Sequence, residues 1–308
     1  MPTAMLIAAD VDPAFIARVK GDARFDVRHE PVRSEDELVA IVGDAQVLVT
    51  RAYNRVTRRV IEAAPQLELI AQGTSGTDNI DAVAARERGI TIVSLPGENA
   101  NAVAELVIGF MLMMTRTIPL YTRDVVSGRW LRDDCATRHE MRHYRLGIVG
   151  LGEVGRRVAR LSRAFGMEVH AYDPYISDDD FLARDAVRIG SLDELLAAID
   201  IVTLHVPLTE ETRRMIGPLQ LERMRPGSFL INAARGEVLD QQAALDALAA
   251  NHLGGLALDV LDPEPPSGAL PDDPRLVLTP HIAGCTFECK RDIGERLYER
   301  MAERYPWV

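Results

Sequence analysis

Short apolar runs separated by longer stretches of helical periodicity recur along almost the whole chain, and few architectures accept that rhythm. A strand followed by a covering helix, repeated, is the building unit of a parallel sheet. The runs Met5–Ala9, Val47–Thr50, Leu69–Ala71 and Ile90–Val93 are the expected strands of a first section, with helices near Ser34–Val42 and Arg58–Ala64. A second section is expected to carry strands at Arg145–Val149, Val169–Asp173, Ile201–Val206, Ser228–Asn232, Leu256–Val260 and Leu276–Thr279, the strand complement of a complete dinucleotide-binding fold. Between the two, Asn99–Thr115 carries Val103, Leu106, Val107, Phe110, Met111 and Met114 so densely that little polar surface is left on any face. Such a helix has to be buried on several sides, in a core or wedged between domains and against a second subunit. The expected fold class is α/β, with two Rossmann-like doubly wound parallel-sheet domains, and a length of 308 residues suits two domains.

The charge balance removes several functions. A net charge of −11 supplies no basic footprint for nucleic acid or for an anionic membrane surface. Lys20 and Lys290 are the only lysines, and neither follows a glycine-rich loop, so phosphate-loop chemistry has no candidate and Schiff-base chemistry scarcely one. Apolar residues make up 47% of the chain without a run long enough to span a bilayer. The first residues reach Asp10 before a signal-peptide core forms. The 3 cysteines, Cys135, Cys285 and Cys289, follow no zinc-ligand or disulfide pattern. A cytoplasmic protein without a bound metal is the expectation.

Within the second section, Gly150-Leu151-Gly152-Glu153-Val154-Gly155 follows the buried run Leu146–Val149 and opens a stretch in which Val154, Val158, Leu161 and Phe165 recur at helical spacing. A G-x-G-x-x-G string alone is weak; between a strand and a helix it has a mechanism. The first glycine makes the tight turn, the second lets the main chain approach a pyrophosphate, and the third lets helix and strand pack closely. The next strand ends in Asp173, near the offset of about 20 residues expected for a ribose-binding acid. A carboxylate there accepts from the ribose hydroxyls and repels a 2′-phosphate, so NAD is favoured over NADP. The alternative is a chance glycine-rich turn with an Asp opening the following loop, and the joint run of strand, motif, helix, strand and acid weighs against it. Farther on, Asp262-Pro263-Glu264-Pro265-Pro266 cannot continue a helix or a central strand and is expected as a loop leaving a strand end.

Several strings in order resemble the D-isomer-specific 2-hydroxyacid dehydrogenases. They are Gly73-Thr74-Ser75-Gly76-Thr77-Asp78-Asn79-Ile80-Asp81, Asn99 through Glu105, the glycine motif, Leu204-His205-Val206-Pro207-Leu208-Thr209, Asn232-Ala233-Ala234-Arg235-Gly236, Leu258-Asp259-Val260 with Glu264-Pro265, and Thr279-Pro280-His281-Ile282-Ala283-Gly284. The resemblance implies a catalytic set of Arg235, Glu264 and His281. A guanidinium suits bidentate contact with a carboxylate, an imidazole titrates near working pH, and a carboxylate bonded to it favours the protonated ring. Taken singly, Arg235 reads as a helix-start salt-bridge residue, Glu264 as a solvated loop charge and His281 as a core histidine; together, after successive strands, they read as a site.

The resemblance further implies that Gly150, Leu151, Gly152, Glu153, Val154, Gly155 and Asp173 bind the cofactor. His205, Pro207, Thr209, Ala233, Ala234 and Gly284 join them, as do Arg235 and His281, with Asp259 accepting from the nicotinamide carboxamide. Arg51, Tyr53, Ser75 and Gly76 are the implied substrate contacts, with Arg235 and His281; Ser75 and Gly76 would act through main-chain N–H groups. The implied layout is a discontinuous substrate-binding domain, 1–98 with 282–308, around an NAD-binding domain, 99–281, with the active site in the cleft and a homodimer as the assembly. The implied activity is NAD-dependent interconversion of a small D-2-hydroxy acid and its 2-keto acid. The alternatives are a formate or phosphite dehydrogenase, and an NAD(H)-sensing interaction protein. Two places depart from the family's commonest forms: Cys135 to Tyr144, with Arg138, His139, Arg142 and His143, and Tyr53, which is large for its position.

Overall fold

The computed structural model describes residues 1–133, 136 and 138–305, with the side chain of residue 182 excepted. Of the departing stretch, Cys135 therefore lies outside the described residues. The chain divides into two compact units, residues 1–99 with 285–308, and residues 100–284.

Unit 1 runs β1 (Thr3–Ile7), α1 (Pro13–Lys20), β2 (Phe25–His29), α2 (Glu35–Ile41), β3 (Val47–Thr50), α3 (Arg58–Ala63), β4 (Leu69–Gln72), α4 (Ala82–Glu87) and β5 (Thr91–Val93). All its strands pair in parallel in the order β2-β1-β3-β4-β5. Its core lies among Leu6, Leu38, Leu48, Val60, Ile61 and Ile70. The polar strand β2 was not expected, because only Phe25 on it is buried. Conversely, Ala8 and Ala9 are buried beyond the last residue of β1, so the apolar run outlasts the strand.

In unit 2, α5 (Ala100–Thr115) and α6 (Ile118–Val126) precede β6 (Arg145–Val149), α7 (Glu153–Ala164), β7 (Glu168–Tyr172), α8 (Asp178–Ala183), β8 (Val187–Arg188), α9 (Leu192–Ala198) and β9 (Ile201–Leu204). Then come α10 (Pro218–Arg223), β10 (Ser228–Asn232), α11 (Gln241–Ala249), β11 (Leu253–Leu258) and β12 (Leu276–Leu278). The sheet is again parallel, in the order β12-β11-β10-β9-β6-β7-β8. It has seven strands where six were expected: β8 is a two-residue edge strand with both residues exposed, so no apolar run announces it. β11 starts earlier than expected because Gly254 and Gly255, which follow its first residue Leu253, break the apolar run. A Cβ on Gly254 would stand 2.4 Å from the Gly227 carbonyl oxygen.

Alternate residues of the strands feed two cores on opposite faces. Leu146, Ile148, Ile231 and Ala257 join α5 and α7, whereas Val149, Leu230, Leu256 and Leu258 join α9, α10 and α11. This is the doubly wound arrangement, and α5 is a core helix of it.

The last helix, α12 (Phe287–Arg304), belongs to unit 1 although it follows unit 2 in sequence. A buried polar cluster ties it down. Arg24 pairs with Asp22 at 2.5 Å, Tyr298 Oη donates to the same carboxylate at 2.9 Å, and Arg24 also donates to the Tyr305 carbonyl. The hydrogen bond from Arg24 is the main cause that holds the Asp22 carboxyl down at about 2, from 3.8. A depressed carboxylate pKa adds stability that is present above about pH 4 and is lost as pH falls toward 2. Asp22→Asn should therefore lower stability at neutral pH by about 2 kcal/mol, because Arg24 loses its charged partner while it keeps the Tyr305 carbonyl. Denaturant titrations should show the gap from wild type closing below pH 4. A gap independent of pH would mean the ion pair does not anchor α12.

Candidate active site

The residues nominated in unit 2 lie at the carboxyl ends of strands or in the loops that follow, except Glu153, Val154 and Gly155, which form the first turn of α7. Strand order reverses between β6 and β9, and such a reversal is where ligands enter this kind of sheet. The main chains crowd there: a Cβ on Gly150, whose φ is +89°, would stand 2.8 Å from the His205 carbonyl oxygen, and one on Gly155 only 2.2 Å from that of Gly150. These two glycines are required by the packing of the protein itself.

Gly152 differs. A Cβ there would meet no protein atom within 4 Å, so the main chain at this point is open to approach from outside. Gly152 is also the N-cap of α7, and no side chain caps that helix, which suits an anion at its first N–H groups. Asp173 borders the turn, accepting from Leu151 N at 2.9 Å and from Tyr175 N at 3.0 Å. The set fits a dinucleotide without a 2′-phosphate. Leu151 is fully buried and Val154 packs on the core, so both offer main-chain groups only. Glu153 is held below the usual carboxylate range by hydrogen bonds from Arg157 and Arg156, which offset its charge beside the turn.

On the other side of the reversal, burial pushes His205 down to about 3, so its ring is neutral, although the residue keeps some exposed surface. Its Nε2 lies 3.0 Å from Thr203 Oγ1. Pro207 and Thr209 are exposed on a turn closed by Thr212, which accepts from Thr209 N and donates to the Pro207 carbonyl.

Three loops carry the catalytic candidates. After β10, Ala233 packs against the core and Ala234 N donates to Asn232 Oδ1, while Arg235 follows with an extended backbone. After β11, Glu264 Oε1 accepts from Leu261 N at 2.9 Å. After β12, His281 stands in the left-handed region at φ +54°. That conformation is held by Asp259. Its carbonyl accepts from His281 N at 2.7 Å, and its buried carboxylate accepts from Thr279 Oγ1, Ile282 N and Ala283 N at 2.6, 2.8 and 2.9 Å. Asp259 thus holds the loop of His281, and a nicotinamide would have only the hydrogen-bonding capacity that those donors leave. Gly284, at the end of the loop, is partly buried.

His281 Nδ1 and Glu264 Oε2 meet at 2.8 Å, with side chains 40% and 38% exposed, so neither is a core residue. The hydrogen bond that His281 donates to Glu264 raises the His281 pKa against the opposing effect of burial. Burial alone would raise Glu264, but hydrogen bonds from His281 and Leu261 N outweigh it, aided by the charges of His281 and Arg235, and leave it lowered.

In unit 1, Gly76 sits in a turn built on buried Gln72, whose Nε2 donates to Thr74 Oγ1, Gly76 O and Asn79 Oδ1. The Ser75 hydroxyl lies 3.0 Å from Leu95 O and 2.7 Å from Asn99 Oδ1. Arg51 donates to Asp10 O at 3.3 Å, and Tyr53 Oη accepts from Asp10 N at 2.7 Å beneath the guanidinium of Arg33. Gln72 escaped the sequence reading because a glutamine at a strand end carries no signal of what its amide will span.

A family model described as D-isomer specific 2-hydroxyacid dehydrogenase, NAD binding domain, matches residues 108–283. The chain is 40% identical over 266 residues to a D-3-phosphoglycerate dehydrogenase of Archaeoglobus fulgidus, a match covering 85% of this chain and 50% of the relative. It thus spans about half the length of that protein. A hydroxypyruvate reductase of Thermotoga maritima is 36% identical over 87% of both chains. The crystal structure of D-lactate dehydrogenase from Aquifex aeolicus, complexed with NAD and lactic acid, superposes with a TM-score of 0.85 at 27% identity, covering 98% of this chain and 96% of that one. The chain belongs to the D-isomer specific 2-hydroxyacid dehydrogenases, with NAD as the cofactor of its nucleotide-binding domain.

Because the Glu264 hydrogen bond is the largest cause that raises the His281 pKa, Glu264→Gln should make the imidazole titrate at lower pH. Histidine-resolved NMR on the full chain checks this; an unmoved titration would show that Glu264 does not set the protonation of His281.

Proposed function

We propose that the chain is an NAD-dependent oxidoreductase that interconverts a small D-2-hydroxy acid and its 2-keto acid. The observation that carries this reading is the His281–Glu264 pair at 2.8 Å, exposed at the same strand-end edge as Arg235 and the dinucleotide turn. NAD, when bound, supplies or accepts the hydride. In reduction, the Arg235 guanidinium holds the substrate carboxylate and polarises the ketone oxygen. Glu264 engages Nδ1 of His281, which leaves proton exchange with the substrate oxygen to Nε2: the protonated ring donates in reduction, and the neutral ring accepts the hydroxyl proton in oxidation. The raised pKa keeps the acid form present to higher pH. Keto-acid reduction should therefore decline only as pH rises through that value.

The names of the relatives support the substrate class, since phosphoglycerate and lactic acid are 2-hydroxy acids and hydroxypyruvate is a 2-keto acid. Arg51, Tyr53 and the main-chain N–H groups of Ser75 and Gly76 are the unit 1 candidates for contact with the acid. A homodimer is the assembly we propose, supported by Ile118, Val125, Val126 and Trp130, which are 45%, 54%, 84% and 76% exposed on and after α6. We place the protein in the cytoplasm, where Cys285 and Cys289 would stay reduced.

NADH oxidation with a panel of small 2-keto acids, from glyoxylate to phenylpyruvate, tests the reaction. Turnover is expected with at least one, and His281→Ala should lower it by about 10²-fold or more while NADH still binds. Silence with every acid despite NADH binding would contradict the reading. For the assembly, sedimentation should give a dimer for the wild type and a monomer for a Val126→Glu, Trp130→Glu variant; an unchanged dimer would place the interface elsewhere.

A further inference from the structure

The proposed reaction gives Arg235 its role but does not say what holds the guanidinium in place. Asn232, the last residue of β10, has no exposed surface, and a buried amide in a central strand has to be hydrogen-bonded to be tolerated. Its bonds go forward along the chain. Nδ2 donates to the Arg235 carbonyl at 2.9 Å and Oδ1 accepts from Ala234 N at 3.1 Å, so the side chain closes the turn that delivers Arg235. Its own carbonyl accepts from Asp259 N at 3.0 Å, which fixes the turn to β11. The next residue is fixed as well: a Cβ on Gly236 would stand 2.0 Å from the Leu261 carbonyl oxygen, and Leu261 N donates to Glu264. The Arg235 backbone is therefore held between the Asn232 amide and the loop that orients Glu264.

We propose that Asn232 is a positioning residue for the reaction, setting where the Arg235 guanidinium stands relative to substrate and to His281. The inference rests on the reaction proposed above. In that geometry the charge of Arg235 lowers the pKa of both Glu264 and His281, so a displaced Arg235 leaves a mark on the imidazole that a purely structural defect would not.

The test pairs Asn232→Ala with Asn232→Ser, whose shorter side chain keeps one hydroxyl in place of the amide's separate donor and acceptor. In the NAD-loaded chain, histidine NMR should show His281 titrating at higher pH in Asn232→Ala, in the same direction as in Arg235→Ala, with Asn232→Ser between it and the wild type. In steady-state assays Asn232→Ala should lose about 10²-fold in kcat/KM for the keto acid, the scale expected for a misplaced contact group. In an Arg235→Ala background the same change should cost nothing further. An unmoved His281 titration, or a loss that adds fully to that of Arg235→Ala, would overturn the role. If wild type itself turns over no keto acid, the proposed reaction fails, while the titration still decides whether Asn232 positions Arg235.

Discussion

Parallel hydrogen bonding in the sheet of unit 2 is the constraint from which the rest follows. When β6, β7, β9, β10, β11 and β12 all pair in one direction, their carboxyl ends must share one edge. Residues from Gly150 to His281 then meet there without any local sequence signal bringing them together. The reversal of strand order between β6 and β9 opens the space at that edge, and the glycine turn occupies one side of it.

The loops at this edge are irregular, and buried polar side chains keep them so. His281 adopts a left-handed backbone, which costs a non-glycine residue about 1–3 kcal/mol. Four hydrogen bonds to Asp259 surround it, from His281 N, Thr279 Oγ1, Ile282 N and Ala283 N, and they offset that cost. Asn232 does the same for the turn before Arg235, and Gln72 for the turn around Gly76 in unit 1. In each case a buried amide or carboxylate at a strand end replaces the ladder hydrogen bonds that the chain gives up when it leaves the sheet.

How much of this was legible in the sequence depended on whether a residue's role is local. The glycine turn was legible because its demands are met within six residues, and β6, β9 and β10 because both faces of those strands are buried and their runs are largely apolar. β2 and β8 were not, since an edge strand needs no apolar run, and Gly254 and Gly255 hid the start of β11. His281, Glu264 and Arg235 were found through resemblance and through the chemistry their side chains share, not through spacing. Asn232 and Gln72 were missed, and Asp259 was read for the cofactor rather than for the loop it holds, because the partners of these buried groups are decided by where the loops go.

The central claim, that this edge carries hydride in one direction and a proton through His281, is tested most directly by isotope. With NADH deuterated at the transferable position of the nicotinamide and the keto acid that turns over best, the product should be the D-2-hydroxy acid with one deuterium at C2. Deuterium remaining on the cofactor, or an L-configured product, would contradict the account.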